Sequence, residues 1–184
     1  MKLETLEKDY FYHFYNRGIN GCDIFDEDKI YNFFLKLFSK YLDNHISLFA
    51  YCLMRNHYHF VFKVNEDGKI VTQQLSNLFN AYAKAFNKQQ NRSGSLFEKH
   101  FKRIRLQSED YLKNLVLYVH TNPVKHRIIS DFRDYKFSSY NEIVNHNSFL
   151  INTIEVIELF DDIDNLKYTH QYKNDVLSMK YTFE

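Results

Sequence analysis

His57 and His59 flank Tyr58 within an otherwise apolar stretch, and their spacing could place two imidazole rings around one metal ion. Successive side chains of a β-strand point to opposite faces, so residues i and i+2 share a face. Neutral imidazole binds divalent metals well. The pattern therefore predicts a pair of metal ligands, although a chain with nine histidines can also carry such a pair on the solvent face of a strand.

Tyr118 and Asn122 are four residues apart in a segment with helical apolar spacing, so both are expected on one helical face. The phenol could act as a nucleophile, and the amide oxygen could bind a metal at the helix end. A second interpretation stays open and is favoured by spacing alone. In it, Tyr118 packs as one of 15 tyrosines, and Asn122 ends the helix before Pro123, which disfavours helical geometry in the preceding residue. His120 lies about 160° around the helix from Asn122 and is not expected at the same site.

A basic strand is predicted over residues 101–107. Alternation puts Phe101, Arg103 and Arg105 on one face, where an aromatic ring and two guanidinium groups could hold single-stranded nucleic acid. The alternative is a solvated edge strand whose charges discourage aggregation. Residues 55–127 carry 13 Lys or Arg and 5 Asp or Glu, and this concentration of positive charge around the candidate site favours nucleic-acid binding.

Charge is divided unevenly along the 184 residues, whose formal net charge is +1. Residues 1–130 carry 19 basic and 13 acidic side chains, and residues 131–184 carry 5 and 10. We therefore expect one domain over 1–130 with a polyanion as its partner, and an acidic, mainly helical extension over 131–184 packed on the same domain. Two cysteines, no apolar run of membrane-spanning length and no signal-peptide core indicate a cytoplasmic protein without a membrane partner.

The predicted elements follow the order strand, helix, strand, strand, helix, strand and a further helix. Two central strands over 46–54 and 57–64 are joined by a two-residue turn, Arg55-Asn56, in which asparagine tolerates positive φ. The pattern predicts an α+β fold, namely a ferredoxin-like βαββαβ antiparallel sheet. An added C-terminal helix, the candidate catalytic helix, is expected to end at Asn122, and a helical tail is predicted over 153–165.

Four stretches of the chain, taken together and in order, resemble one family. They are residues 13–18 (HFYNRG), 51–59 (YCLMRNHYH), 96–102 (LFEKHFK) and 111–124, which ends in YVHTNPV. The chain resembles the single-tyrosine HUH transposases, and among them most the REP-associated tyrosine transposases, relatives of the insertion-sequence two-hundred-like group. The order and spacing match over roughly two-thirds of the chain, which is far more specific than a histidine pair alone.

The resemblance implies that Tyr118 is the catalytic nucleophile. Spacing alone favours a packing role for this residue, and the resemblance reverses that preference. It implies that His57, His59 and Asn122 bind a divalent metal cofactor, Mg²⁺ or Mn²⁺. Arg55 stands where the family commonly has proline, so this side chain could contact phosphate instead. The residues expected at the DNA are His13, Tyr15, Asn16, Arg17, Arg55, Lys102, Arg103, Arg105, Lys125 and Arg127.

The function implied by the resemblance is that of a DNA transposase, a single-strand endonuclease and strand transferase acting on single-stranded or hairpin DNA. Attack by Tyr118 on a phosphodiester is expected to give a 5′-phosphotyrosine and a 3′-hydroxyl, and reversal rejoins strands. Three alternatives stay open: a catalytically silent DNA-binding protein of the same fold, a metal-dependent hydrolase without a covalent intermediate, and an interaction module built on the acidic tail. The basic body argues against the last. A homodimer and a monomer are equally compatible with the sequence.

Overall fold

The computed structural model describes residues 4–176, with side chains described for residues 4–172. Residues 1–3 of the expected domain and 177–184 of the expected extension lie outside the described residues. Within the described range, no helix is both long and apolar enough to cross a membrane. The strands are β1 Phe11–Arg17, β2 Ile46–Met54, β3 His57–Val64 and β4 Lys102–Arg105. The helices are α1 Asp28–Leu42, α2 Gly68–Gln89, α3 Glu109–Lys125, α4 Tyr140–Val144, α5 Thr153–Glu158 and α6 Ile163–Val176.

The strands form one four-stranded antiparallel sheet in the order β2-β3-β1-β4. This order and the chain order β1-α1-β2-β3-α2-β4-α3 confirm the predicted α+β, ferredoxin-like arrangement with an added helix. The connection between β2 and β3 is the two-residue turn predicted at Arg55 and Asn56, because Met54 pairs directly with His57. The histidine pair therefore begins an interior strand immediately after a tight turn.

Helices pack on both faces of the sheet, which explains why β2 and β3 are buried along nearly their whole length. One face packs under α2, where the ring of Tyr58 stacks on that of Phe79 at a centroid distance of 5.5 Å. The other face packs against α3, which contacts both β2 and β3. Because side chains alternate along β3, Tyr58 lies in the hydrophobic layer, and His57 and His59 lie in the layer beneath α3.

α3 is longer than the sequence predicts. It was expected to end at Asn122, but it continues to Lys125 with Pro123 inside the helix. The backbone N–H of His126 closes the last turn on the carbonyl of Asn122 at 3.0 Å. Packing of α3 between the sheet and the C-terminal helix outweighs the local preference against helical geometry before proline. The extra turn brings Lys125 and His126 back toward the histidine pair.

The C-terminal extension packs on the sheet through α5 and on α3 through α6. The single helix predicted over 153–165 is wrong, because α5 ends at Glu158 and α6 begins at Ile163. Asp161 has a φ of 71°, a left-handed conformation that interrupts the helix. The Asp162 carboxylate then accepts a backbone N–H of the first turn of α6 at 2.7 Å. Hydrophobic periodicity alone did not reveal this break.

Candidate functional site

The candidate site forms where α3 crosses the start of β3. Tyr118, Asn122 and His126 follow one another at intervals of four residues, so they lie along one side of the helix and its end. The ring of Tyr118 is perpendicular to that of His59 at a centroid distance of 5.7 Å. The ring of His126 is 4.8 Å from that of His57. Asn122 therefore lies on α3 between two contacts with the histidine pair.

His57 and His59 each have Nδ1 within hydrogen-bonding distance of a neighbouring side chain. The rings of His57 and His59 are 5.4 Å apart, with an interplanar angle of 86°. Nδ1 of His57 lies 2.6 Å from Oδ1 of Asn56, and Nδ1 of His59 lies 3.0 Å from Nε2 of His13. A metal-binding histidine uses one nitrogen for the metal and the other for such a hydrogen bond. Nε2 of each ring is therefore the nitrogen suited to a metal.

Asn122 is a buried amide whose side chain makes no hydrogen bond to the described residues. It is fully buried, and neither Oδ1 nor Nδ2 has a partner there. The capping interpretation is wrong, because the helix continues past Asn122. A buried polar group without a partner costs roughly 1–3 kcal/mol, so a ligand explains this residue better than packing does.

The donor set fits a divalent ion only if the amide takes part. Among residues 4–176 there is no group of three or more His, Cys, Asp and Glu placed to hold a metal. Two imidazoles and the Asn122 amide oxygen are a mixed nitrogen and oxygen set with room for further ligands. Burial also lowers the pKa of His59 well below its usual value, and His13, His57 and His126 act in the same direction. His59 is thus held neutral, which is the form that binds metal.

Tyr118 lies under a cation. Its side chain is almost wholly buried, with 4% of the residue exposed, and Nζ of Lys125 is 4.4 Å from the ring centroid. A nearby ammonium group stabilises negative charge on a phenol. Lys125, which was expected at the DNA, is therefore placed over the candidate nucleophile.

A cavity of about 360 Å³ opens beside the histidine pair. On its wall, Nζ of Lys102 lies 5.4 Å from the ring centroid of Tyr15, and Nε of Arg17 donates to the Glu98 carboxylate at 2.5 Å. Cationic and aromatic groups side by side are suited to a phosphate and an adjoining base. Four residues expected at the DNA therefore share this cavity with His57 and His59. Its lining consists of Tyr15, Asn16, Arg17, Asn56, His57, His59, Glu98, Lys102 and His126.

The two arginines of β4 lie on the other face of the sheet. Arg103 is opposite Phe14 and Arg105 is opposite Tyr12 in the antiparallel register with β1. Directly opposed residues share a face, and Phe14 belongs to the layer under α2. Phe101 is on this side as well, with its ring 4.9 Å from that of Phe14. The three residues share a face as predicted, but that face does not carry the histidines.

Local contacts explain the position of both arginines, and neither lines the cavity beside the histidine pair, so their contact with DNA stays a prediction. Nη1 of Arg103 is 3.5 Å from the hydroxyl of Thr72 on α2, and the guanidinium of Arg105 is 3.2 Å from the ring centroid of Tyr10. They pack the edge of the hydrophobic layer. On β4, Lys102 is the cation that reaches the cavity.

Three further residues expected at the DNA lie outside the cavity wall. His13 is fully buried and bonds His59, so it has no surface for direct contact with DNA. Arg55 is exposed in the turn, and its Nε donates to the Asp23 carboxylate at 2.8 Å. Arg127 is exposed just beyond α3. The last two remain available to a longer nucleic-acid ligand.

Sequence reasoning missed three residues of the site. The sequence predicts only a turn position for Asn56, although an amide next to His57 can bond the Nδ1 of that ring. His126 was not expected at the site, although it stands eight residues after Tyr118, on the same side of a helix that continues. Glu98 was not expected at the site, although it lies within the stretch 96–102 that contributes to the resemblance.

No known family model matches the chain, and no curated protein matches it in sequence. Among solved structures, the fold is similar to that of a REP-associated tyrosine transposase bound to a REP hairpin. The TM-score is 0.63 and the identity 15%, over 83% of this chain and 88% of the other. At this identity the likeness shows the shared α+β fold alone.

Proposed function

We propose that the chain binds single-stranded or hairpin DNA and cuts one strand through Tyr118, as a metal-dependent transposase or strand-transferring nuclease. The observation that carries this proposal is the packing of the Tyr118 ring against His59, beside His57. The cationic cavity and the likeness in fold to a transposase solved on hairpin DNA support it.

His57, His59 and Asn122 are the residues that would hold Mg²⁺ or Mn²⁺. When bound, such an ion supplies Lewis acidity at a non-bridging phosphate oxygen and fixes the phosphate's orientation. The assignment rests on the orientation of the two imidazoles and on the buried amide of Asn122.

The surrounding side chains would hold the DNA. Arg17 and Lys102 offer positive charge for backbone phosphates, and the ring of Tyr15 offers a face for one unpaired base. A single strand suits this cavity because an in-line phosphate needs backbone freedom that a duplex restricts. The proton of Tyr118 passes to water as its oxygen attacks, and Nζ of Lys125, 4.4 Å from the ring centroid, adds positive charge near the attacking group.

The chemical step is a transesterification. The Tyr118 oxygen forms a bond to phosphorus, and the bond from phosphorus to the 3′-oxygen of the preceding nucleotide breaks. The 3′-oxygen takes up a proton, which leaves a 3′-hydroxyl and a 5′-phosphotyrosine. The phosphoester is conserved, so attack by a 3′-hydroxyl reverses the step and joins strands without ATP.

The test is a denaturing gel of the protein incubated with Mn²⁺ and a labelled pool of single-stranded hairpin oligonucleotides. We expect a labelled band at the mass of the protein, absent in Tyr118→Phe and retained in Tyr111→Phe, a matched variant on the same helix. Tyr118→Phe should still shift the same DNA in a native gel. Persistence of the labelled band in Tyr118→Phe would refute the assignment of the nucleophile.

One observation favours a second candidate, a hydrolase that uses water. Tyr118 is only 4% exposed and does not line the cavity, whereas His57 and His59 do. Hydrolysis predicts cut DNA without a covalent species, and cutting that survives in Tyr118→Phe. The same gel therefore separates the two candidates.

A further inference from the structure

The hydrogen bond between two buried histidines assigns a task to His13. We propose that His13 is a positioning residue that fixes the tautomer of His59, so that the proton lies on Nδ1 of His59 and the lone pair lies on Nε2. The inference rests on the proposed function, in which His59 binds a metal. His13 itself touches neither metal nor DNA in this arrangement.

The two rings are held in a fixed relation by the sheet. In the register of β1 with β3, His13 lies opposite Val61 and Tyr15 lies opposite His59, so the two histidines are diagonal neighbours on one face. His13 is fully buried and His59 is 1% exposed. Their ring centroids are 5.2 Å apart with an angle of 18°, and Nε2 of His13 is 3.0 Å from Nδ1 of His59. The ring of Tyr15 stacks on that of His13 at 4.6 Å and lies 5.7 Å from that of His59.

One proton lies between these two nitrogens, and only one position suits a metal site. If His13 donated, His59 would accept at Nδ1, and its own proton would occupy Nε2 and block coordination there. If His59 donates from Nδ1, its Nε2 carries the lone pair. His57 shows the same arrangement, because its Nδ1 faces Oδ1 of Asn56, an amide oxygen that can only accept. The rings of His57 and His59 then both have their lone pair on Nε2, the nitrogen proposed to bind the metal.

The chemical type of the group that accepts the Nδ1 proton of His59 matters for the binding of a phosphate substrate. Metal-bound histidines often donate to a carboxylate, which orients the ring but also adds negative charge. A neutral imidazole orients His59 without that charge. The site therefore keeps its attraction for a phosphodiester anion, in keeping with Arg17 and Lys102 on the cavity wall.

The first test reads the tautomer directly in the metal-free protein. Long-range ¹H–¹⁵N NMR correlation distinguishes protonated from lone-pair ring nitrogens, and His59→Gln identifies the resonances of His59. We expect the proton of His59 on Nδ1 and that of His13 away from Nε2. A proton on Nε2 of His59 overturns the proposal, whether or not any variant at position 13 folds.

The second test compares two variants at one position. His13→Gln keeps an acceptor that can take the Nδ1 proton, and His13→Leu fills similar space without one. We expect His13→Leu to weaken Mn²⁺ binding, measured by EPR titration, by roughly 10–100-fold, as for other outer-shell partners of metal ligands. His13→Gln should restore most of the affinity. Equal Mn²⁺ affinity in the two variants overturns the proposal, because a role limited to packing does not distinguish them.

His45→Leu is the control for losing a histidine elsewhere, since His45 bonds Glu66 away from the site. Neither test uses DNA cleavage, so the inference and the proposed function can fail separately. A fixed His59 tautomer with no DNA adduct supports the role of His13 and counts against the nuclease. A DNA adduct together with a proton on Nε2 of His59 supports the nuclease and counts against the role of His13.

Discussion

α3 contacts histidines at two places of opposite character. On one side of the helix, His57, His59 and His126, which we term the open group, line a cavity that also carries Arg17 and Lys102. On the other side, His120 and His170, which we term the closed group, join α3 to α6. Both groups are rich in histidine and packed against the same helix.

Every ring nitrogen of the closed group has a hydrogen-bond partner within the protein. Nδ1 of His120 is 2.8 Å from Nε2 of His170, and Nε2 of His120 is 2.8 Å from the hydroxyl of Ser139. Nδ1 of His170 donates to the carbonyl of Leu166 at 2.7 Å. All four ring nitrogens have partners, so the group ties the C-terminal helix to α3 and keeps no nitrogen for a ligand.

The difference shows that burial and residue type do not identify a functional histidine. Burial lowers the pKa of His59 and of His120 well below the usual value, so both are neutral in the folded chain. The two groups differ in what surrounds their ring nitrogens and in the charge nearby. The open group lies beside a cavity, cations and the buried amide of Asn122.

The largest expected effect comes from removing the open group's ligands. His57→Ala combined with His59→Ala should reduce Mn²⁺-dependent DNA cutting by about a thousandfold or more, because the metal is lost while Tyr118 remains. Rates are measured on labelled single-stranded hairpins. The matched control is His120→Gln with His170→Gln, which should leave Mn²⁺ affinity unchanged in the folded protein. Unchanged cutting in the alanine pair would remove the metal site from the proposal.

The next effect concerns the amide. Asn122→Ala should weaken Mn²⁺ binding by roughly 10–100-fold, as expected for the loss of one ligand or a close partner. The free energy of unfolding without metal should not fall, because the substitution removes a buried polar group that has no partner among the described residues. Asn114→Ala, the same change two turns earlier, is the control. A loss of stability without a loss of Mn²⁺ affinity would make Asn122 a structural residue.

The closed group predicts a dependence of stability on pH. Burial lowers the pKa of His170 to about 4, and its surroundings include His120 and the neutral ring of Tyr140. The unfolded chain takes up a proton near a pKa of roughly 6.5, so stability is complete above that pH and is lost as the pH falls toward 4. Between pH 7 and pH 5, His170 alone should reduce the free energy of unfolding by about 2 kcal/mol.

The measurement is chemical denaturation at pH 7, 6 and 5 with His170→Gln alongside. The variant should be less stable at pH 7, because a bond to His120 or Leu166 is altered, but it should lose less stability on acidification. Parallel pH profiles for the two proteins would contradict the assignment. Metal affinity at pH 7 should be the same in both.

The sequence predicts the sheet well because its signals are local. The alternation in 57–64 and the two-residue turn before it determine which face carries the histidine pair. The extent of α3 was not predictable in this way, because Pro123 argues for an earlier end and only packing on the sheet and on α6 overrides it. His126 was missed for that reason.

The partners of the ligand histidines depend on contacts between distant segments. His13 and His59 are 46 residues apart, and no spacing rule relates them. The same limit applies to β4, where alternation groups Arg103 with Arg105 correctly but cannot say which face meets α3. Only the register with β1 decides that, and of the three basic residues of β4 it places only Lys102 on the side of the cavity.

The register of β4 with β1 leads to the prediction with the smallest expected effect, which separates two residues of the same strand. Lys102→Ala should weaken binding of single-stranded DNA a few-fold and reduce the slope of log affinity against log salt concentration by about one, the expected loss of one phosphate contact. Arg105→Ala removes the same charge three residues along the same strand but on the opposite face, where the guanidinium packs on Tyr10. It should change DNA affinity and the salt slope little. Fluorescence anisotropy at several salt concentrations measures both, with melting temperatures to check folding. Equal losses of affinity in the two variants would mean that DNA binding depends on the net charge of the protein rather than on positive charge at the face that carries the open group.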